Sequence, residues 1–249
     1  MVFLKRYISS STSRYRIPPL PQLKPNPAVV HKVQPTSAKM SSASSQTPQR
    51  QIRALQDSNT ITVYQAYSSA IATAAVDHQS LSASPLFRFT RMTWIKPSWA
   101  WVLYRSGYSY KDPGQERILA LKMKHADFIH LLSKGVLSSH KAIEGDVNGR
   151  KKEEEVRIQW DPERNVRLGK LDYRSIQIGI PGGGGLSEKW VKEMIVEIED
   201  VTEKARQLKS VLDERPDVTE SELVEMGLVP EETVFQGAPE DVRVRLRMD

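Results

Sequence analysis

Between Thr60 and Tyr67 the sequence TITVYQAY is dense in β-branched and aromatic residues and follows a cluster of turn formers, a pattern that predicts a strand. Directly after it, SSAIATAAVDHQS spaces Ile71, Ala74 and Ala75 at helical intervals behind Ser68 or Ser69, either of which serves as a cap. Periodic structure therefore opens near Gln51, where QIRALQ has a short helical look, and continues as strand then helix. RMTWI predicts a further strand. Pro97 suits the first position of a helix and Gly107 its end. On that helix Trp99, Val102, Leu103 and Ser106 share one face, which is core. Trp101, Tyr104, Arg105 and Tyr108 lie around the other side, as a second layer of core or as an aromatic platform.

ERILALKMK reads as a strand, and ADFIHLLSKGVLSS as a helix with Phe128, Leu131 and Leu132 inward. KAIEGDVNGRKKEEE is a polar loop of opposed charges. VRIQW alternates, DPERN turns, and YRSIQIGI alternates again. Strands and short helices are intermingled, and the connection at DPERN is too short for a parallel crossover. The expectation is one α+β domain over residues 50–240, with a mixed, mostly antiparallel sheet flanked by helices.

The last third admits two readings. From Ser187, Val191, Met194, Ile198, Val201, Ala205, Leu208 and Leu212 step by three and four, as on one long amphipathic helix. Alternatively a short helix (Ser187 to Glu193) leads to a strand MIVEIEDV and a new helix capped by Thr202. The strand would place Ile195, Glu197 and Glu199 on one face. The C-terminal ESELVEMGLVPEETVFQGAPEDVRVRLRMD offers a short helix and one or two edge strands.

Charge changes the picture at the N-terminus. The chain of 249 residues carries a net charge of +6, yet residues 1–56 hold nine Lys or Arg and no acid, leaving 27 bases against 30 acids elsewhere. A nucleic-acid partner is thus possible but not favoured for the body. MVFLKRYISSSTSRYR has the Arg-rich, Ser-rich, acid-free composition of a mitochondrial transit peptide; a disordered extension over residues 1–49 that carries no address is the alternative. Mitochondrion and cytoplasm both stay open, and Met40 is placed to serve as a second translation start. There is no cysteine, which excludes disulfides and thiol nucleophiles. No apolar run approaches the ~18 residues of a membrane span.

Candidate chemistry is sparse. PGGGGLSEKW puts four glycines before a helix start, where backbone N–H groups could hold a phosphate, but it lacks a P-loop ending; a flexible surface loop is the default. His125 and His130 stand five apart with no ligand-like carboxylate pair, so no metal site is expected. No Gly-x-Ser-x-Gly is present. Glu197 and Glu199 are a pair able to divide labour in a pocket, or else two solvated acids.

Taken together, QIRAL, TITVYQAYS, RMTWIKPS, YRSG, QERILA, QWDPER, YRSIQIG and VEIEDVT resemble the family catalogued as domain of unknown function 4291. The order of elements also resembles the ADP-ribosyltransferase fold. That resemblance implies a nucleotide ligand of the NAD type, with Tyr64 and Gln65 on the first strand, Thr93 and Ser98 on the second, and the catalytic Glu199 on the last. Gln65 departs from the Arg or His of that superfamily; Arg53, Lys96 or Arg105 would then hold the phosphates. The implied function is a nucleotide-dependent transferase in which Glu199 stabilises a ribosyl cation and Glu197 orients the acceptor. The alternative is a binding module without chemistry for a nucleotide or single-stranded nucleic acid, using the tryptophans as base platforms.

Overall fold

The computed structural model describes residues 47–138 and 155–249. The expectations for the N-terminal extension, and for nearly all of KAIEGDVNGRKKEEE, lie outside the described residues. Nine strands and seven α-helices are described: β1 (Arg53–Ala54), β2 (Thr60–Tyr67), α1 (Ser69–Asp77), β3 (Thr93–Ile95), α2 (Trp99–Ser106), β4 (Arg117–Lys124), α3 (His125–Ser133), β5 (Gly135–Leu137), β6 (Val156–Arg164), β7 (Lys170–Ile180), α4 (Gly185–Lys189), β8 (Ile195–Asp200), α5 (Thr202–Glu214), α6 (Glu220–Glu225), β9 (Thr233–Val234) and α7 (Glu240–Leu246). The architecture is α+β, and pairing is mostly antiparallel. It is divided among three sheets, β2-β4-β8, β3-β7-β6-β5 and the small β1-β9. Among the described strands only β5 and β6 run parallel. No described helix is long and apolar enough to cross a membrane.

The two larger sheets meet where Tyr64 and Lys96 exchange both backbone hydrogen bonds, at 2.6 and 3.1 Å. Alternation does the rest. One face of the first sheet supplies Ile61, Val63, Leu119, Leu121, Met123 and Ile198 to a buried cluster. The second sheet adds Ile95, Ile158, Ile176, Ile178 and Ile180 to it. Tyr64 and Ala120, on the other face of the first sheet, pack in a second cluster with Trp99, Val102 and Leu103 of α2 and with Ala205, Leu208 and Leu212 of α5.

Four sequence expectations are corrected. QIRALQ is extended rather than helical, because Arg53 and Ala54 pair with Val234 and Thr233 from the far end of the chain. The helix after Ala126 stops at Ser133, and Gly135 turns into β5. A Cβ there would meet the Leu132 carbonyl oxygen at 2.8 Å and Ile158 at 2.9 Å. DPERN is not a turn: β6 runs through it with a register shift between Pro162 and Arg164, which accommodates the proline. The chain reverses instead at Asn165, whose side-chain oxygen accepts the N–H groups of Arg167 and Gly169. In the last third the strand alternative holds. A π turn (Trp190–Met194) ends the short helix, and β8 pairs with β4. The helix that follows begins at Thr202, whose hydroxyl accepts the Ile118 N–H rather than capping its own helix.

Candidate functional site

A cleft of about 690 Å³ opens beside the junction of the two sheets. Its wall from β2 carries Gln65, Ala66 and Tyr67; β3 and the residues around it give Arg91, Thr93, Trp94 and Lys96; α2 gives Arg105; β6 and β7 give Gln159 and Gln177. The loop before β3 adds Arg88. Of the residues expected at a nucleotide site, Gln65, Thr93, Lys96 and Arg105 are therefore brought together.

Local structure fixes each of them. Both backbone groups of Lys96 are bonded to Tyr64, which pins its Cα at the sheet junction. Ser98 then caps α2 by accepting the Trp101 N–H at 3.1 Å, and Gly107 ends the helix in a left-handed conformation (φ 57°), so Arg105 stands in the last turn. The glycine-rich loop holds the arginine loop from behind. The Gly183 N–H and the Ser187 hydroxyl both donate to the Phe89 carbonyl, and a Cβ on Gly182 would fall 2.4 Å from the Thr90 backbone. That close approach is what the glycine serves.

The electrostatics of the cleft are one-sided. Arg88, Arg91 and Arg105 are exposed, and Lys96 is only 5% exposed. None of the four side chains makes an ion pair or a hydrogen bond among the described residues. The lining carboxylate of Asp112 is already engaged by the Gly114 N–H (2.9 Å) and Gln115 Nε2 (2.6 Å). Burial lowers the Lys96 pKa to about 8, helped by the positive charge of Arg105 and opposed by Asp161. Two orphan polar atoms also line the cleft: Gln65 Oε1 and the Tyr67 hydroxyl are buried without a hydrogen-bond partner among the described residues. Gln177 donates to Gln159 at 3.1 Å.

The other expected site residues lie elsewhere. Ser98 donates to Glu163 (3.0 Å), a carboxylate only 6% exposed whose pKa burial raises against hydrogen bonds from the Arg164 N–H, Ser98 and Ser175. Beside it, Glu232 accepts the Trp99 N–H at 2.6 Å, and burial pushes its carboxyl up to about 8. Arg53 lies over the Tyr173 ring at 4.4 Å and bonds Gln51. Tyr64 is buried against Trp99, ring centroids 5.2 Å apart, and burial raises its hydroxyl pKa, as do the charges of Glu232 and Glu199. Glu197 pairs with Lys122 at 2.6 Å on the exposed edge strand β8; Glu199, also exposed, follows it there, and neither lines the cleft.

The second face of α2 divides. Trp101 and Tyr108 are buried, whereas Tyr104 is partly exposed between Trp101 (5.0 Å) and Arg164 (3.8 Å). Only Arg105 of that face, with Val102 of the core face, reaches the cleft. Arg88, Gln159 and Gln177 were not singled out from sequence, and Arg91 stood out only as a cation beside the tryptophans and not as a phosphate ligand, although FRFTR, with two cations just before a strand, carried a signal. Glu163 and Glu232 had none, since one sat in an expected turn and the other in a segment of mostly polar residues. His125 stands edge-on to Phe235 at 5.2 Å, and no three His, Asp or Glu side chains gather as a metal site among the described residues.

Comparison with curated proteins gives no match. The family model described as Domain of unknown function (DUF4291) matches residues 51–235, a span that contains every described strand and the whole cleft, and on that match the chain belongs to the DUF4291 family.

Proposed function

We propose that the cleft binds a nucleotide through its phosphates and that the protein is a nucleotide-dependent transferase. One observation carries this reading: three arginines and a buried lysine converge on one cavity, and among the described residues none of their side chains makes an ion pair, Asp161 acting on Lys96 only through space and Asp112 being engaged elsewhere. Unpaired like charges repel, and a buried one carries a desolvation penalty, so the arrangement is relieved by an anion. Guanidinium groups match phosphate oxygens in paired hydrogen bonds. Trp94 offers a flat aromatic surface in the same cleft, and Gln65 Oε1 is a free acceptor for a base amine or a carboxamide N–H. An NAD-type dinucleotide supplies all three features. Glu197 and Glu199 stand outside the cleft, so the reading gives them no part in binding. The acid-free start of the chain supports a mitochondrial address, with the cytoplasm as alternative; a reporter fused to residues 1–49 separates the two.

Calorimetric titration of the full chain with NAD and with ATP tests the reading. Saturable binding, weakened in Arg91→Ala and Arg105→Ala proteins that still melt normally, is expected. No heat from either ligand at millimolar concentration would remove it. Binding of single-stranded RNA in strong preference to both mononucleotide and dinucleotide would replace it with a nucleic-acid-binding module.

A further inference from the structure

We infer that Lys96 is a nucleophile for nucleotidyl transfer, its amine attacking the phosphorus next to the nucleoside in a ligand that contains a phosphoanhydride. The inference rests on the nucleotide reading of the cleft and goes beyond it by naming the bond that breaks. Lysine is almost never fully buried without a partner, because its ammonium loses hydration with nothing in return. Lys96 is 5% exposed, lines the cleft and makes no ion pair among the described residues. An ammonium whose only task was to bind phosphate would act as well from the surface, as the three arginines do. Holding one beneath the surface, next to the like charge of Arg105, favours the neutral amine, which is the nucleophilic form. The pKa of about 8 agrees with this geometry, since it leaves about a tenth of the amine as free base at pH 7, far more than an ordinary lysine at 10.5 holds.

Placement is also rigid. The two backbone hydrogen bonds to Tyr64 hold the strand on one side, and Pro97 with the Ser98 cap holds the start of α2 on the other. The side chain thus projects from a fixed point. Arg88, Arg91 and Arg105 supply the charge that neutralises the phosphates, so the amine is not needed as a counter-ion. In the step, the Nζ–P bond forms and the bridging P–O bond of the anhydride breaks. The leaving group is pyrophosphate from a nucleoside triphosphate, or a mononucleotide from an NAD-type dinucleotide, and the amine proton passes to solvent. Nothing is oxidised or reduced. No carboxylate but the engaged Asp112 lines the cleft among the described residues, which suits attack at phosphorus better than formation of a ribosyl cation.

The experiment incubates the full chain with magnesium and either ATP or NAD, then measures intact mass and maps the modified peptide, with binding followed separately by calorimetry. The expected result is a mass increase of one nucleoside monophosphate unit on Lys96, labile to acid as a phosphoramidate is, with release of pyrophosphate or nicotinamide mononucleotide. Lys96→Arg is expected to lose the adduct at ligand concentrations that saturate the variant by calorimetry, and Lys96→Met serves if the longer side chain does not fold. Binding of both ligands with no adduct overturns the inference and leaves the nucleotide reading intact. Absence of binding by a folded protein removes both. An adduct mapped to another lysine, or release of free nicotinamide in place of the mononucleotide, also overturns it.

Discussion

The indole of Trp94 lies directly over Gly179, its partner in the β3–β7 register: a Cβ on Gly179 would stand 2.8 Å from the ring. The glycine is present for close approach, since any side chain there would lift the indole off the strand. Gly179→Ala is therefore expected to tilt Trp94 in the cleft, destabilise the fold by about 1–3 kcal/mol as overpacking does, and weaken nucleotide binding. Thermal melts and titrations on the same protein check this. A stability loss with unchanged affinity would show that the indole does not touch the ligand.

The exposed arginines make the opposite prediction, an effect on ligand with little effect on fold. Arg91→Gln and Arg105→Gln remove side chains that hold nothing in the described protein, so stability should stay within about 0.5 kcal/mol of the parent. Each charged hydrogen bond lost to phosphate should cost on the order of tenfold in Kd. The parent affinity should also fall as salt rises, and the double variant should respond less, because fewer charges remain to be screened.

The strand Thr60–Tyr67 was legible in the sequence, because a strand buried on both faces selects β-branched and aromatic residues, and turn formers mark its start. What escaped was set by distant partners. Arg53 and Ala54 are a strand only because Val234 and Thr233 lie beside them, and DPERN continues β6 only because β7 pairs across it. The site was half legible for the same reason. Gln65, Thr93, Lys96 and Arg105 line one cleft, whereas Ser98 and Tyr64 turn toward the buried carboxylate Glu163 and the half-buried Glu232. Which way a side chain at the end of a strand turns is decided by packing across the junction, and spacing along the chain does not encode it.

Ser98 accordingly belongs to stability. Its hydroxyl accepts the Trp101 N–H and donates to the Glu163 carboxylate, which is otherwise held by the Arg164 N–H and Ser175. Ser98→Ala loses a helix cap worth about 1 kcal/mol and a hydrogen bond to a buried carboxylate worth about 1.5–3 kcal/mol. Denaturant melts should show a combined loss of about 2.5–4 kcal/mol, with nucleotide affinity unchanged well below the midpoint. A selective loss of affinity would return Ser98 to the binding site.

Glu232 gives a pH test with a defined sign. Its carboxyl is raised to about 8 from an ordinary 4.5, so the folded protein holds a proton that the unfolded chain releases. The stabilisation is complete below pH 4.5 and is lost as pH rises through 8. Glu232→Gln keeps an oxygen to accept the Trp99 N–H and cannot ionise. Near pH 8 it should be more stable than the parent by on the order of 1–2 kcal/mol, less than the full linkage value because the residue keeps some contact with solvent. Glu232→Leu leaves that N–H without its acceptor and should be less stable at pH 5. Chemical denaturation of the three proteins from pH 5 to 8 decides, and parallel pH curves for parent and Gln variant would mean that Glu232 stays ionised.

Lys96 carries the opposite sign. Its pKa is lowered to about 8 from 10.5, so between those values the unfolded chain binds a proton that the folded protein does not, and stability rises with pH across that window. Below pH 8 the fold carries a buried ammonium, at a cost of up to about 3 kcal/mol by the size of the shift. Lys96→Met should therefore melt higher than the parent at pH 7, by several degrees at about 2–4 °C per kcal/mol, and the difference should shrink toward pH 9.5. A phosphate ligand raises the pKa of a neighbouring amine, so the stabilisation given by a nucleotide should be larger at pH 7 than at pH 9 in the parent and nearly independent of pH in Lys96→Met. If Lys96→Met instead melts lower at pH 7, the ammonium is held by favourable contacts in the fold, and the cleft is not strained in the way that a reactive amine requires.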